Sequence, residues 1–268
     1  MDLFSIVGLV CGFLAVVGAM IFKHIPFSVF LNPAAICVII LGTIASVMIA
    51  TPTSELKNVG KLFGVVFGKP RFIRPAEAIS KLVDYSKAAR TGGLLALEPQ
   101  IANETDPFLI RGLQLLVDGT DKRKIEEYLN EDIYAMQQRH AGNAQVFSQA
   151  GSYAPTLGVL GAVMGLIAAL GDLSDMDRLS AAISAAFIAT VLGIFTGYVL
   201  WHPMANKLKG KSRQEVQVRS LIVTGICSIA EGQNPNILQE NLLAYLTTKE
   251  RTAYQGGPAD GKKTSRTS

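Results

Sequence analysis

The stretch Tyr153-Ala154-Pro155-Thr156-Leu157-Gly158-Val159-Leu160-Gly161-Ala162-Val163-Met164-Gly165-Leu166-Ile167-Ala168-Ala169-Leu170 contains no charged side chain. As a helix it would extend about 27 Å, close to the hydrocarbon thickness of a bilayer. Reading outward, a second uncharged run covers residues 179–201, after the short acidic loop 171–178. Towards the N-terminus two more runs cover 3–22 and 29–50, joined by Lys23-His24-Ile25-Pro26-Phe27-Ser28, a link short enough for a hairpin turn. The pattern predicts an all-α membrane protein with four transmembrane helices in two hairpins. The whole chain agrees: of 268 residues, 49% are apolar and 17% charged, with a mean hydropathy of +0.33, where a soluble domain would carry about 25% charge. That balance excludes a disordered chain, and three cysteines are too few for a disulfide scaffold. Burial of four such helices inside a large soluble protein is the competing reading, and the polar remainder is too small for it.

The first run is read as retained rather than as a signal peptide, because Asp2 stands where basic residues should precede it. Cys11, Cys37 and Cys227 have no paired spacing and read as packing residues. Lys and Arg set the expected orientation, with 13 between positions 51 and 150, 10 after Pro203, and one in each short loop, Lys23 and Arg178. The positive-inside rule then places the long segment and both termini in the cytoplasm, in a multi-pass topology. Asp2 and Lys23 point the other way around the first helix, and Lys57, Lys61, Lys207, Lys209, Lys211 and Arg213 should outweigh them.

Four regions follow: a transmembrane hairpin over 1–51, a cytoplasmic helical domain over 52–147, a second hairpin over 148–205, and C-terminal helices with a tail over 206–268. In the insert, one helix follows Pro75 and breaks at Gly92-Gly93. A short turn covers Leu94 to Glu98, and further helices run from Phe108 to Val117 and from Asp121 to His140, the last continuing towards the membrane. The C-terminal region carries helices over 213–230 and 237–246, and the polar, Gly-rich sequence beyond Ala253 reads as disordered.

The most informative feature is an absence. Of 21 Asp and Glu, none falls inside the four runs. A charge at mid-bilayer costs at least about 2.5–3.5 kcal/mol and is kept mainly where ions or protons bind. If this chain handles ions, the titrating group must come from another polypeptide. What the runs do contain are hydroxyls, glycines and two prolines: Thr156, Gly158, Gly161 and Gly165 in the third, and Thr190, Gly193, Thr196 and Gly197 in the fourth, before Trp201-His202-Pro203. Glycines four apart permit close helix approach. The Thr hydroxyls suit either solvation of an ion or hydrogen bonding to their own helix. Pro155, placed near the outer end, and Pro203, at the inner end, read as hinges or as helix terminators. Trp201 and His202 read as interfacial anchors, with a proton relay the other role open to the histidine. Gly210-Lys211-Ser212 lacks the first glycine and preceding strand of a phosphate loop, and reads as a basic anchor at the inner leaflet. Asn103-Glu104-Thr105 matches a glycosylation sequon in a segment expected to be cytoplasmic. No metal-ligand or catalytic spacing is present, and the chain reads as not an enzyme and without a cofactor.

Asn32-Pro33-Ala34, Arg90 to Glu98 (RTGGLLALE), Tyr153 to Leu166 (YAPTLGVLGAVMGL) and Ala189-Thr190-Val191-Leu192-Gly193 leading to Pro203 together resemble the flagellar stator subunits of the MotA family, relatives of TolQ and ExbB. The resemblance covers nearly the whole chain. It implies that five such subunits surround two copies of MotB, whose single membrane helix brings an ion-binding Asp and whose periplasmic domain grips peptidoglycan. Ion flow would turn the ring, and the cytoplasmic insert would pass torque to the rotor protein FliG. By this resemblance Arg90 and Glu98 are rotor contacts, Pro155 and Pro203 couple ion binding to movement, and Thr190, with Ala162 and Thr156, belongs to the ion path. Read on their own residues, Arg90 and Glu98 would be a solvated surface pair worth at most about 1 kcal/mol. Sodium-driven relatives tend to carry Thr where this chain has Ala162, which offers no oxygen to a desolvated sodium ion, so proton coupling is expected. A TolQ or ExbB type energiser of envelope transport is the alternative, expected to have three membrane helices rather than four.

Overall fold

The computed structural model describes residues 3–26, 32–68, 72–171 and 176–255. The loop residues 172–175, the 27–31 part of the first connection with the expected start of the second helix, and the tail from 256 lie outside them. Every regular element among the described residues is helical. In order these are α1 (Leu3–Phe22), α2 (Pro33–Ala50), α3 (Thr53–Leu56), α4 (Val59–Phe67), α5 (Pro75–Gly92), a 3₁₀ turn (Leu94–Leu97), α6 (Glu98–Asn103), α7 (Pro107–Val117), α8 (Lys122–Leu170), α9 (Met176–Phe195), a π-helical turn (Thr196–Trp201), α10 (His202–Ala230), α11 (Pro235–Leu243) and α12 (Thr248–Gln255).

Three helix starts share one device. Asn32, Asp106 and Asn234 accept hydrogen bonds from backbone N–H groups two or three residues on, and proline occupies the first helical position after each. The cap satisfies orphan donors while proline sacrifices an N–H that had no partner. Endings are equally local. Gly232, at φ 66°, closes α10, and the Gln233 N–H reaches back to the Ser228 carbonyl at 3.0 Å. That is the six-residue bond of a left-handed glycine cap.

Two compact units are built from these helices. The first comprises Met1–Pro70 and Gln138–Ser212 and holds the membrane-length segments. Four helices are long and apolar enough to cross a bilayer: Leu3–Phe22, Pro33–Ala50, Lys122–Leu170 and Leu179–Ala230, the last two continuing well past the apolar run. Asp177 lies in the first turn of α9, where a helix N-terminus favours a negative charge. α2 buries Ala35, Ile39, Thr43 and Val47, one residue per turn, and a methyl group on its Gly42 would lie 3.1 Å from the Leu157 side chain of α8. α1 is the least buried span, and Phe4, Phe13 and Phe22 stay exposed.

The helix α4 was not expected from sequence. It is amphipathic, burying Leu62 and Val66 in a cluster with Ala144, Phe147, Ala205 and Leu208. Phe63, Phe147 and Trp201 form an aromatic group around it, with ring centroids 5.3–6.4 Å apart. Trp201 therefore packs within this unit at the end of the fourth apolar run. Lys211 is likewise engaged. Its Nζ donates to the carbonyls of Val65, Val66 and Gly68 at 2.5, 3.1 and 2.7 Å, closing the C-terminal end of α4 where a cation is favoured. Lys211, expected as a basic anchor at the inner leaflet, thus also caps a helix.

The second unit comprises Arg71–Gln137 and Arg213–Ser268. Its core joins Ile79 and Leu82 of α5, Leu109 and Leu113 of α7, and Leu221 and Ile226 of α10, all essentially inaccessible. Each such side chain contributes about 1.5–3 kcal/mol relative to exposure. Cys227 is in this core, and burial pushes its thiol up to about 11, as an inert packing residue requires. The helix α12, also unexpected, brings Tyr254 Oη within 3.4 Å of Ser80 and Gln239.

Candidate functional site: a glycine-lined hairpin and a charged helical surface

Within the first unit, the apolar part of α8 packs against α9 and the π turn through glycines. A methyl group on Gly158 would lie 2.8 Å from the Ala189 carbonyl oxygen and 3.0 Å from Gly193 Cα. On Gly193 it would lie 2.7 Å from the Ala154 carbonyl oxygen. Both contacts are with backbone, so the two helices touch where any larger residue would force them apart. Gly161 continues the seam, with Ala189 Cβ 3.9 Å from a methyl group placed there.

Two of the three residues expected on the ion path flank this seam. Ala162 follows Gly161 and is buried, and Thr190 follows Ala189 and is half-buried. Thr156 is elsewhere. Two residues before Gly158, it falls on the far side of α8 with the exposed Leu160, Val163 and Ile167. All three hydroxyls nearby bond to their own helix: Thr190 donates to Ala186 O at 3.2 Å, Thr156 to Tyr153 O at 2.8 Å and Thr196 to Leu192 O at 2.9 Å. A hydroxyl that donates backwards still presents its oxygen as an acceptor outward.

Neither proline terminates its helix. Pro155 lies inside the 49-residue α8, and Pro203 follows the π turn as the second residue of α10. The two are also neighbours in level. A methyl group on Gly197 would meet the Pro155 ring at 2.8 Å, and one on Gly151 would meet the His202 ring at 2.8 Å. Pro155 is therefore at the end of the hairpin away from the 171–176 connection, the same end as Pro203, and not at the opposite end as expected. The antiparallel course of α8 and α9 requires this, since α8 enters where the π turn leaves. The π turn itself is marked by the His202 N–H reaching back five residues to Gly197 O. A proline at 203 supplies no N–H to continue the ladder, and widened turns commonly sit at such interruptions.

In the second unit, Arg90 ends α5 and Glu98 opens α6, each at the helix end its charge favours. Both are exposed, and among the described residues no ion pair joins them. Between them Gly93 takes φ 76° and the 3₁₀ turn buries Leu97. A cleft of about 190 Å³ opens beside Arg90, bounded by Ala89, Leu94, Ile229 and Gln233.

Sequence reasoning missed the buried charge that holds this surface. The Glu104 side chain is fully buried and accepts from Lys81 Nζ at 2.9 and 3.0 Å, Tyr85 Oη at 2.6 Å, and the backbone N–H groups of Thr105 and Asp106 at 2.7 and 3.0 Å. Burial alone would raise its pKa. The hydrogen bonds from Tyr85, Lys81 and the two backbone amides outweigh that and hold the carboxyl near 2. The Tyr85 hydroxyl is pushed above its ordinary value by burial first and then by the carboxylate it serves.

The chain is a four-span helical membrane protein whose third and fourth spans meet through glycines. The family model for the MotA/TolQ/ExbB proton channel family matches residues 100–220. Motility protein A of Bacillus subtilis is 48% identical over 265 residues, 98% of each chain. Among solved structures, the flagellar MotAB stator complex from Bacillus subtilis superposes with a TM-score of 0.87 at 49% identity, covering 92% of this chain and 98% of that one. MotAB from C. jejuni gives 0.87 at 32% identity, over 92% and 97%. The chain belongs to the MotA/TolQ/ExbB proton channel family, alongside the motility A proteins.

Proposed function

We propose that this chain is the ring-forming subunit of a flagellar stator, which with a MotB-like partner conducts protons across the inner membrane and converts their flow into torque on the rotor protein FliG. The observation that carries the reading is the exclusion of every charged side chain from the apolar runs. An ion path lined by this chain alone would need a titrating group, and one membrane helix of the partner, bearing an Asp, supplies it. The exposed stripe of α8 through Thr156, Leu160, Val163 and Ile167 offers such a helix an apolar face. Thr190 and Ala162 lie behind it on the glycine seam. Ala162 adds no oxygen for sodium, which favours protons as the transported ion, with no cofactor. Pro155 and Pro203 translate protonation of the partner into movement at the π turn. Five of these subunits surround two partners, with both termini in the cytoplasm, and Arg90 and Glu98 engage FliG by opposite charges.

Reconstitution into liposomes tests this. The chain together with its partner conducts protons, and the chain alone, or with the partner's membrane Asp changed to Asn, does not. Substantial flux through the chain alone overturns the reading.

A further inference from the structure

The inner end of the second hairpin gathers hydroxyl groups beside one histidine. Thr51, the C-cap of α2, donates to Gln149 Oε1 at 2.9 Å, so residue 149 of α8 is level with the inner end of the α2 apolar run. Near that depth the exposed residues of α2 include Ile44, Met48 and Ile49, a surface suited to lipid. The exposed face of α8 differs, because it carries Thr156 and Ser152. Ser152 donates to Ser148 O at 3.1 Å and Thr156 to Tyr153 O at 2.8 Å, which leaves each oxygen open as an acceptor. At about 100° per residue, Ser152 and Ser148 lie about 40° and about 80° around α8 from Thr156, and Gly151 about 140°. His202 sits at Gly151: a methyl group on that glycine would lie 2.8–2.9 Å from three of its ring atoms. The three hydroxyls therefore descend from the exposed stripe towards the cytoplasm and turn towards the side of α8 that the imidazole occupies. His202 is half-buried, and its ring centroid is 5.2 Å from that of the exposed Tyr198.

We propose that His202 takes up the protons that the partner's carboxyl group releases and passes them to the cytoplasm, with Thr156, Ser152 and Ser148 as the steps between. The proposal rests on the reading of this chain as one half of a proton path. Histidine is the side chain that gains and loses a proton near neutral pH, and of the chain's three it alone belongs to the second hairpin. In the step, the O–H bond of the partner's carboxylic acid breaks. Each hydroxyl accepts a proton as it donates its own, through the water between them, and the free ring nitrogen of His202 forms a new N–H bond. The imidazolium then releases a proton to cytoplasmic water and returns to the neutral ring, so nothing is oxidised or reduced. The surrounding elements bring few charges. α1, which meets the π turn at Gly12 and Val199, and α2 contain no charged residue. α4 meets Trp201 through Phe63 and brings Lys61. Tyr198 belongs to the π turn, Lys207 follows on α10, and Glu55 lies against Gly142 of α8. Between His140 and Leu170, α8 has no charged residue. The imidazole is thus the group at this end of the hairpin that suits proton exchange near neutral pH.

The test uses the complete complex, this chain with its MotB-like partner, in inverted vesicles whose cytoplasmic face is outside. Proton flux from the lumen is read with a trapped pH dye at fixed membrane potential, and the medium sets the pH on the cytoplasmic face. Flux through the parent is expected to fall as that pH drops from about 8 to about 5, the interval in which histidines change charge. His202→Gln is expected to lower flux about tenfold or more and to abolish that fall. His202→Glu supplies a different titrating group and restores flux, with the fall moved towards the carboxylate range of about 4. Ser152→Ala, which removes one exposed hydroxyl, lowers flux and leaves the pH at which it falls unchanged. Co-purification with the partner verifies assembly, and the parent profile with Ser152→Ala decides if the His202 variants do not assemble. Parental flux and pH profile in His202→Gln overturn the relay and leave the proton path standing, as does a parent profile that is flat across the interval. A loss in His202→Gln that His202→Glu does not restore assigns the ring a packing role and also overturns the relay. Parent flux no greater than that of vesicles with the partner's Asp changed to Asn overturns the underlying reading as well.

Discussion

Gly197 lies directly against Pro155: a methyl group on the glycine would come within 2.8 Å of the ring Cγ and within 2.8 Å of the Gly151 carbonyl oxygen. That carbonyl is the one Pro155 leaves without its usual intrahelical donor, since proline has no N–H. Gly197 also accepts the five-residue bond that defines the π turn, and Pro203 follows immediately. The irregularities of both helices are therefore gathered at one level, where the ladder is weakest on each side.

Replacing Gly197 by Ala should act at this point. The new methyl group meets backbone and a ring that cannot rotate away, a strain of about 1–3 kcal/mol. The expected result is strongly reduced swimming speed with co-purification of the partner retained. Gly165→Ala, with nothing within 4 Å of the added carbon, should swim normally. Equal speeds in the two variants would remove any special role from the contact.

Glu104 gives a pH prediction. Its carboxyl is held near 2 in the folded chain against an ordinary 4.5, so the stability it contributes is present above about 4.5 and is lost as pH falls towards 2. The shift corresponds to about 3 kcal/mol. Glu104→Gln should unfold at lower temperature than the parent at neutral pH, and the gap should narrow as pH falls through that window. A gap independent of pH would show that the side chain's shape, not its charge, matters.

Arg90→Glu and Glu98→Lys should each impair motility while leaving partner assembly intact, because both side chains are exposed. Restoration by a reversed charge on FliG would identify direct contact. Unaffected swimming in both single variants dismisses these positions.

Swimming speed against external sodium, with and without a protonophore, checks the ion. The expected behaviour is indifference to sodium and arrest by the protonophore. A strong sodium requirement sinks the proton assignment.

The four spans were legible because about twenty uncharged residues in a row have few other solutions, and α5 and α7 because Pro75, Gly92-Gly93 and Asp118-Gly119 punctuate them. The helix α4 escaped notice: Gly60, Lys61 and Gly64 dilute its apolar pattern, and it is held by partners far away in sequence, Phe147 and Lys211. Continuity through Pro155 and Pro203 was left open between hinge and terminator. Proline normally ends a helix, and only tertiary contacts such as those of Gly197 and Gly151 show why these two do not. Glu104 stood inside an apparent sequon, and nothing local marks it as the centre of five hydrogen bonds. Of the residues expected on the ion path, Ala162 and Thr190 are aligned by glycine spacing that the sequence displays, and the placement of Thr156 on the far face follows from helix phase.

The absence of charge from the apolar runs also bears on the order in which a cell builds this machine. With every Asp, Glu, Lys and Arg kept out of those runs, each span can enter the bilayer without the cost of about 2.5–3.5 kcal/mol that a charge at its centre carries, so insertion needs no partner to neutralise one.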